Sequence, residues 1–456
     1  MSEFNTTIAA ISTPPGKGGV ALIRLSGAEA FTIAARVFRP HGKRLPWEAP
    51  RTAIYGDFLA EGVCVDDGIA TAFPAPHSYT GEDTVEFCCH GGVLITRTRL
   101  EALFVAGATP AAAGEFTRRA FLSGRLGLTE AEAIATLLDA KSEAQLRLSA
   151  SRGLLAERID GFYTELLALT SAAEAVIDFP EEDLAEIPAE EFSSRLSALS
   201  DRIGRLASSY RTGRAVAEGI RTVIAGRPNV GKSSLYNLLV GEEAAIVSDI
   251  PGTTRDVLEK TVPLGDVLLR LFDTAGLRDS DDPIERIGVT RARGALGEAE
   301  LVLCVFDASL PLTEEDRALF DLPTREGAIP IAVLNKSDLP SRIEVSEIAQ
   351  HYDRIIELSA KNDSSEALAA LIGSIYTSGE LTIGEDAIVS SARQYAALAK
   401  TREALHTALS ALLGGLPADM YTADLEAALA ALGEVDGRTV NEEIVDEIFH
   451  HFCVGK

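Results

Sequence analysis

Cysteine is scarce: five residues in a chain of 456, at Cys64, Cys88, Cys89, Cys304 and Cys453. None forms a CxxC pair, and on a strand Cys88 and Cys89 would point to opposite faces, so neither a disulfide framework nor a cysteine zinc site is indicated. Apolar runs near eighteen residues are missing, and the opening MSEFNTTIAA has no basic segment followed by an apolar one. A reducing, cytoplasmic setting without a membrane is expected. Positive charge is short as well, with 42 Lys and Arg against 68 Asp and Glu, a formal net charge of −26. Proteins that bind nucleic acid through a broad basic surface draw most of their affinity from phosphate neutralisation, so any RNA contact here is local or shared with a partner. The ending HFCVGK has a cysteine four residues from the end, but Gly455 and Lys456 break the prenylation pattern and argue against a lipid anchor.

What is present falls into three patterns. Residues 5–122 read as short strands with a few helices (TTIAAIS, GGVALIRLSG, TAIYGDFL, IATAFPA, TVEFCCHGG), separated by Pro and Gly clusters, which predicts an α+β domain. From Thr129 the period becomes helical. Leu155, Ile159, Phe162, Leu166 and Leu169 form one apolar stripe, ended by DFPEED at Pro180; Phe192, Leu196, Leu199, Ile203 and Leu206 form a second; Tyr395, Leu398, Leu405, Leu409 and Leu412 form a third. Between the second and third lies a block, 219–379, in which apolar strands (RTVIAG, VLLRLFD, LVLCVFD, IPIAVLN, RIIELSA) alternate with helices, as in a mostly parallel, doubly wound sheet. The expected fold class is multidomain α/β: an α+β N-terminal domain (1–122), a helical bundle (123–218 and 380–456), and an inserted P-loop domain (219–379).

GRPNVGKS, Gly226 to Ser233, follows an apolar strand and opens a helix, the context a phosphate-binding loop requires. Backbone N–H groups of Asn229, Val230 and Gly231 would wrap the β-phosphate, Lys232 would reach the β- and γ-phosphates, and Ser233, followed by Ser234, can ligate Mg²⁺. PGTTRD supplies Thr253 and Thr254 in the loop between, the position from which a threonine completes the metal shell. DTAG, Asp273, Thr274, Ala275 and Gly276, puts a carboxylate near the metal and an N–H near the γ-phosphate. NKSD follows, Asn335, Lys336, Ser337 and Asp338. An aspartate accepts two hydrogen bonds only from a base edge with two donors, so Asp338 selects guanine over adenine. Ser359, Ala360 and Lys361 read as the loop behind the guanine carbonyl. Leu277 stands where Ras-like GTPases have the glutamine that orients water, so hydrolysis needs another device; Arg227, Asn229 and Glu285 are candidates, Glu285 having a solvated helix carboxylate as its alternative.

The phosphate loop, AAIVSDIPGTTRD, DTAGLR with IERIG, the N-terminal STPPGKGGVALIRLSG, SYTGED, HGG and the tail FCVGK together resemble the TrmE (MnmE) family of tRNA-modification GTPases over almost the whole chain. The resemblance implies a homodimer that works with an FAD-containing partner, MnmG, to install an aminomethyl or carboxymethylaminomethyl group on the wobble uridine of tRNAs, using a tetrahydrofolate one-carbon unit. It also implies a potassium ion in place of the missing side chain, with Asn229, Ser248, Ile250 (through its carbonyl) and Thr253 as ligands in a loop that includes Asp249, Pro251 and Gly252. Mg²⁺ falls to Ser233 and Thr254, and Glu285 and Lys232 become the catalytic pair. Folate ligands would be Arg24, Glu86, Arg125 (where the family usually has lysine) and Lys456. NEEIVDEIFHHFCVGK reads as an amphipathic helix with a short extension that the resemblance carries to the folate site, making Cys453 a candidate thiol nucleophile or proton donor, with a buried apolar cysteine as the alternative. Two rivals share parts of this pattern: a ribosome-assembly GTPase of the Era or Der type, which needs a basic RNA module, and a folate-responsive switch.

Overall fold

The structure is a computed structural model and describes residues 6–178, 187–241, 259–272, 296–322, 324–377, 381–440, 442–450 and 452–455. The chain forms two compact units, Met1–Ala135 with Ile159–Ser171 and Ala423–Lys456, and Thr136–Arg158 with Ala172–Thr422. Among the described residues no helix is long and apolar enough to cross a membrane.

In the first unit, β1 (Ile8–Ile11), β2 (Val20–Ser26), β3 (Phe38–Pro40), β4 (Ile54–Ala60), β5 (Val63–Phe73), β6 (Thr84–His90) and β7 (Thr109–Pro110) form one sheet in the order β3-β4-β5-β6-β2-β1-β7. Alternate residues Ala21, Ile23 and Leu25 of β2 and Val85, Phe87 and Cys89 of β6 enter one core with α1 (Ala30–Val37) and α2 (Val93–Val105). The intervening Arg24, Glu86 and Cys88 face the other side, as a period of two demands. Cys89 is buried and Cys88 half-buried. The start of β5 was hidden in the sequence because Asp66 and Asp67 interrupt its apolar pattern. Asp66 is accommodated by the buried Arg99 guanidinium and by His90 Nδ1 at 2.7 Å. Beyond the sheet, α3 (Glu115–Leu122) and α4 (Leu128–Leu138) pack against the helix Glu442–His450 through Phe121, Leu128, Ala131, Val445 and Phe449.

The second unit holds α5 (Glu143–Ala150), α7 (Ala189–Ser208) and α8 (Tyr210–Ala217), while α6 (Arg152–Asp178) contributes to both units. The first two sequence stripes are buried throughout. The third differs at both ends: Leu398 and Leu405 are buried, but Leu409 and Leu412 are half-buried, and Tyr395 is 43% exposed and stacks on Tyr210 at 4.8 Å between ring centroids.

The six-stranded sheet of this unit runs β13 (Ile355–Leu358), β12 (Ile329–Asn335), β11 (Leu301–Asp307), β8 (Ile220–Ala225), β10 (Val267–Phe272), β9 (Glu259–Leu264), parallel except for β9. Every residue of β11 is buried: Leu301, Leu303 and Val305 enter the core on one face, and Val302, Cys304 and Phe306 the core on the other. That is why LVLCVFD reads as an unbroken apolar run. Burial also pushes the Cys304 thiol up to about 11, which makes it an inert packing residue.

At the base of this sheet, Glu300 accepts from both Arg214 Nη atoms, Nη1 at 3.2 Å, and from the Arg221 N–H at 3.3 Å. Burial alone would raise the Glu300 carboxyl, but the Arg214 and Arg221 donors outweigh it and hold it below the usual glutamate value. A folded value below the unfolded one means this pair's stabilisation is complete above about pH 4.5 and disappears as pH falls through the folded value. Arg214→Ala, which leaves a carboxylate 12% exposed without its partner, is therefore expected to cost about 3 kcal/mol in urea unfolding near neutral pH. The gap from wild type should narrow below about pH 4.

Candidate functional site

The loop between β8 and α9 (Lys232–Gly241) lies at the C-terminal ends of the parallel strands, where the strand order reverses between β8 and β11. Open α/β sheets bind ligands at this place. Asn229 has φ +65°, a left-handed conformation rare outside glycine. The Lys232 ammonium donates to Gly226 O and Arg227 O, each at 2.8 Å, and Ser233 is exposed in the first turn of α9. The helix N-terminus and the turned loop present N–H donors suited to a phosphate.

Asn335 gathers the loops. Its Nδ2 donates to Val230 O at 2.8 Å and its Oδ1 accepts from Ala360 N at 2.9 Å, so the end of β12, the phosphate loop and the 359–361 loop are tied together. Lys336 Nζ donates to Asn229 O at 3.1 Å, Ser337 N donates to Leu358 O at 3.3 Å, and Asp338 and Lys361 are exposed beside them. Asp363 accepts from Ser359 N at 2.5 Å and shapes that loop. Three of the five nucleotide elements thus converge. The other two, with Ser248, Asp249, Ile250, Pro251, Gly252, Thr253, Thr254, Asp273, Thr274, Ala275, Gly276 and Glu285, lie outside the described residues.

One candidate is corrected. Arg227, considered as a substitute for the missing glutamine, places Nε 3.0 Å from both carboxylate oxygens of Asp316, which is 3% exposed and also accepts from Thr313 N and Oγ1. Its charge is spent on anchoring the loop. Asp316, Asp307 and Asp363 belong to no nucleotide motif, and the charged partners of the first two, Arg227 and Lys336, lie 89 and 29 positions away along the chain.

In the first unit Arg24 and Glu86 are directly opposed on β2 and β6 and form an ion pair, Nε and Nη2 lying 2.9 and 2.8 Å from Oε1. The Arg24 guanidinium stands 4.9 Å from the Tyr79 ring centre and 5.5 Å from that of Phe116, and its Nη1 is buried without a hydrogen-bond partner. A donor left over in this way suits an incoming carboxylate or heterocycle oxygen. SYTGED is fixed beside it: Thr80 Oγ1 and Glu82 bond Ser26 Oγ, and buried Arg119 pairs with Glu82 and Glu115. Arg125 is exposed after α3, its Cγ 3.3 Å from where a Cβ on Gly81 would lie. The tail reaches the same sheet: Val454 bridges Ala113, and Ser12 Oγ donates to Gly455 O at 2.8 Å. Cys453 is exposed, which sets aside the alternative of a buried apolar cysteine; Phe452 takes the buried position instead. Lys456 lies outside the described residues.

A doubly wound sheet with a lysine-bearing phosphate loop tied to an NKSD loop defines a P-loop guanine-nucleotide-binding protein. A family model described as the MnmE helical domain matches residues 128–453, and one described as the GTP-binding protein TrmE N-terminus matches residues 7–125. Among similar proteins, the tRNA modification GTPase MnmE of Symbiobacterium thermophilum is 44% identical over 456 residues, covering 99% of each chain. Proteins of the same name from Heliobacterium modesticaldum (43%) and Thermoanaerobacter sp. (40%) also match over 99% of each chain. The chain belongs to the MnmE (TrmE) family of tRNA modification GTPases.

Proposed function

We propose that this protein hydrolyses GTP in the course of tRNA modification, as a cytoplasmic homodimer acting with an FAD-containing, MnmG-type partner. The modification is an aminomethyl or carboxymethylaminomethyl group on the wobble uridine. The observation that carries the guanine-nucleotide part is the Asn335 bridge between the phosphate loop and the 359–361 loop. Lys232 neutralises the phosphates, and Asp338 reads the two donors of guanine. Ser233 and Thr254 would hold Mg²⁺. Asn229, Ser248, Ile250 and Thr253 offer neutral oxygens, a set suited to a monovalent cation, and a potassium ion held there would supply positive charge at the phosphates where an arginine finger's charge would otherwise lie. Glu285 is assigned to positioning water, in place of a Ras-type glutamine. Pairing of two nucleotide domains would order the loop that carries these ligands, coupling hydrolysis to association.

The tetrahydrofolate derivative provides the one-carbon unit. The unpartnered Arg24 Nη1, the Glu86 pair and the two rings beside it support a folate site there, with Arg125 and Lys456 assigned to the glutamate tail. Arginine in place of lysine keeps the charge and changes reach and geometry. The exposed Cys453 is assigned a thiol role near this site. The division into domains at 1–122, 123–218 with 380–456, and 219–379 belongs to the same proposal. Mass spectrometry of tRNA nucleosides after reconstitution with the FAD partner, GTP and a folate tests it: the modified wobble uridine is expected, and unmodified uridine would refute it.

A further inference from the structure

β11 is buried along its length and ends on Asp307, whose side chain is 3% exposed. A carboxylate at that depth is costly unless its lone pairs are filled. Three donors fill them: Lys336 Nζ at 2.5 Å, Ser309 Oγ at 2.6 Å and Ser309 N at 3.0 Å. Burial alone would raise the carboxyl, and these donors outweigh it and hold it below the usual aspartate value. The second contact of Lys336 is with the phosphate loop, at Asn229 O, 3.1 Å away. Asn229 at φ +65° and Lys336 at φ +67° both hold a conformation that surrounding contacts must stabilise. The ion pair therefore lies between two nucleotide-binding loops and not within either hydrophobic core.

We propose that Asp307 is a positioning residue for nucleotide binding: it fixes the Lys336 ammonium so that the lysine braces the phosphate loop at Asn229. The inference rests on the guanine-nucleotide reading above and adds a residue that no motif contains. Asp307→Asn keeps the shape and an acceptor for Ser309 but removes the charge. Dissociation of mant-GDP from the full-length protein, followed by fluorescence in sodium buffer, is expected to accelerate about tenfold, the size of one lost charge-assisted hydrogen bond. Lys336→Met should have a similar effect, and the double variant should dissociate no faster than Lys336→Met alone. Effects that multiply, or a wild-type rate in Asp307→Asn, would overturn the inference. Should Asp307→Asn fail to fold, Ser309→Ala loosens the same carboxylate: an acceleration of about threefold is expected, vanishing in the Lys336→Met background. Persistence there would overturn the inference. Wild-type protein that binds no mant-GDP overturns the GTPase reading and this inference together, whereas binding without an Asp307 effect overturns the inference alone.

Discussion

Gly231→Ala is expected to abolish guanine-nucleotide binding, lowering affinity for GDP at least about a hundredfold, or roughly 3 kcal/mol. Gly231 has φ +101°, and a Cβ there would fall 2.0 Å from Asn335 Nδ2. The methyl group and the amide cannot share that space. Asn335 must swing away and give up its bonds to Val230 O and Ala360 N, so one added carbon separates three loops. Each broken buried hydrogen bond costs about 1–3 kcal/mol, and the backbone conformation adds its own strain. Isothermal titration with GDP measures the effect, and circular dichroism checks that the helices persist. An affinity within threefold of wild type would refute the view that Asn335 is the keystone of the site.

The second large effect is expected at the tail. Gly455 has φ +96°, and a Cβ would lie 2.3 Å from Ile11 O. Gly455→Val should lift the extension off β1, breaking the Ser12 bond and the Val454 bridge to Ala113. Strain of about 1–3 kcal/mol is enough to displace so short a contact. If the tail completes the folate site, affinity for a tetrahydrofolate derivative and yield of modified tRNA should each fall at least about tenfold, while GDP affinity stays at the wild-type value. Unchanged folate binding would separate the tail from that site.

The parts legible in the sequence were those governed by local spacing. The run Leu301–Asp307 announced one of the apolar strands of the doubly wound sheet, and the structure buries it on both faces. GRPNVGKS and NKSD could be paired in advance because the chemistry of phosphate and guanine demands both. Long-range pairings left no such trace. Glu259–Leu264 joins the sheet as an antiparallel edge whose partner, not its own pattern, makes it a strand. Arg227 looked free to act on a phosphate until folding brought Asp316, 89 positions away, against it. Tyr395 fitted a buried stripe, yet a neighbouring tyrosine gave it a stacking partner at the surface. Val63–Gly68 was concealed for the same reason, since the arginine that accommodates Asp66 lies on α2.

The central claim is that a monovalent cation at Asn229 supplies at the phosphates the positive charge an arginine finger would otherwise bring, and the rate of GTP turnover in potassium against sodium at equal ionic strength tests it most directly. The account predicts turnover at least about tenfold faster in potassium, with the difference lost in Asn229→Ala. Equal rates in the two salts, or full potassium stimulation surviving in Asn229→Ala, would contradict it.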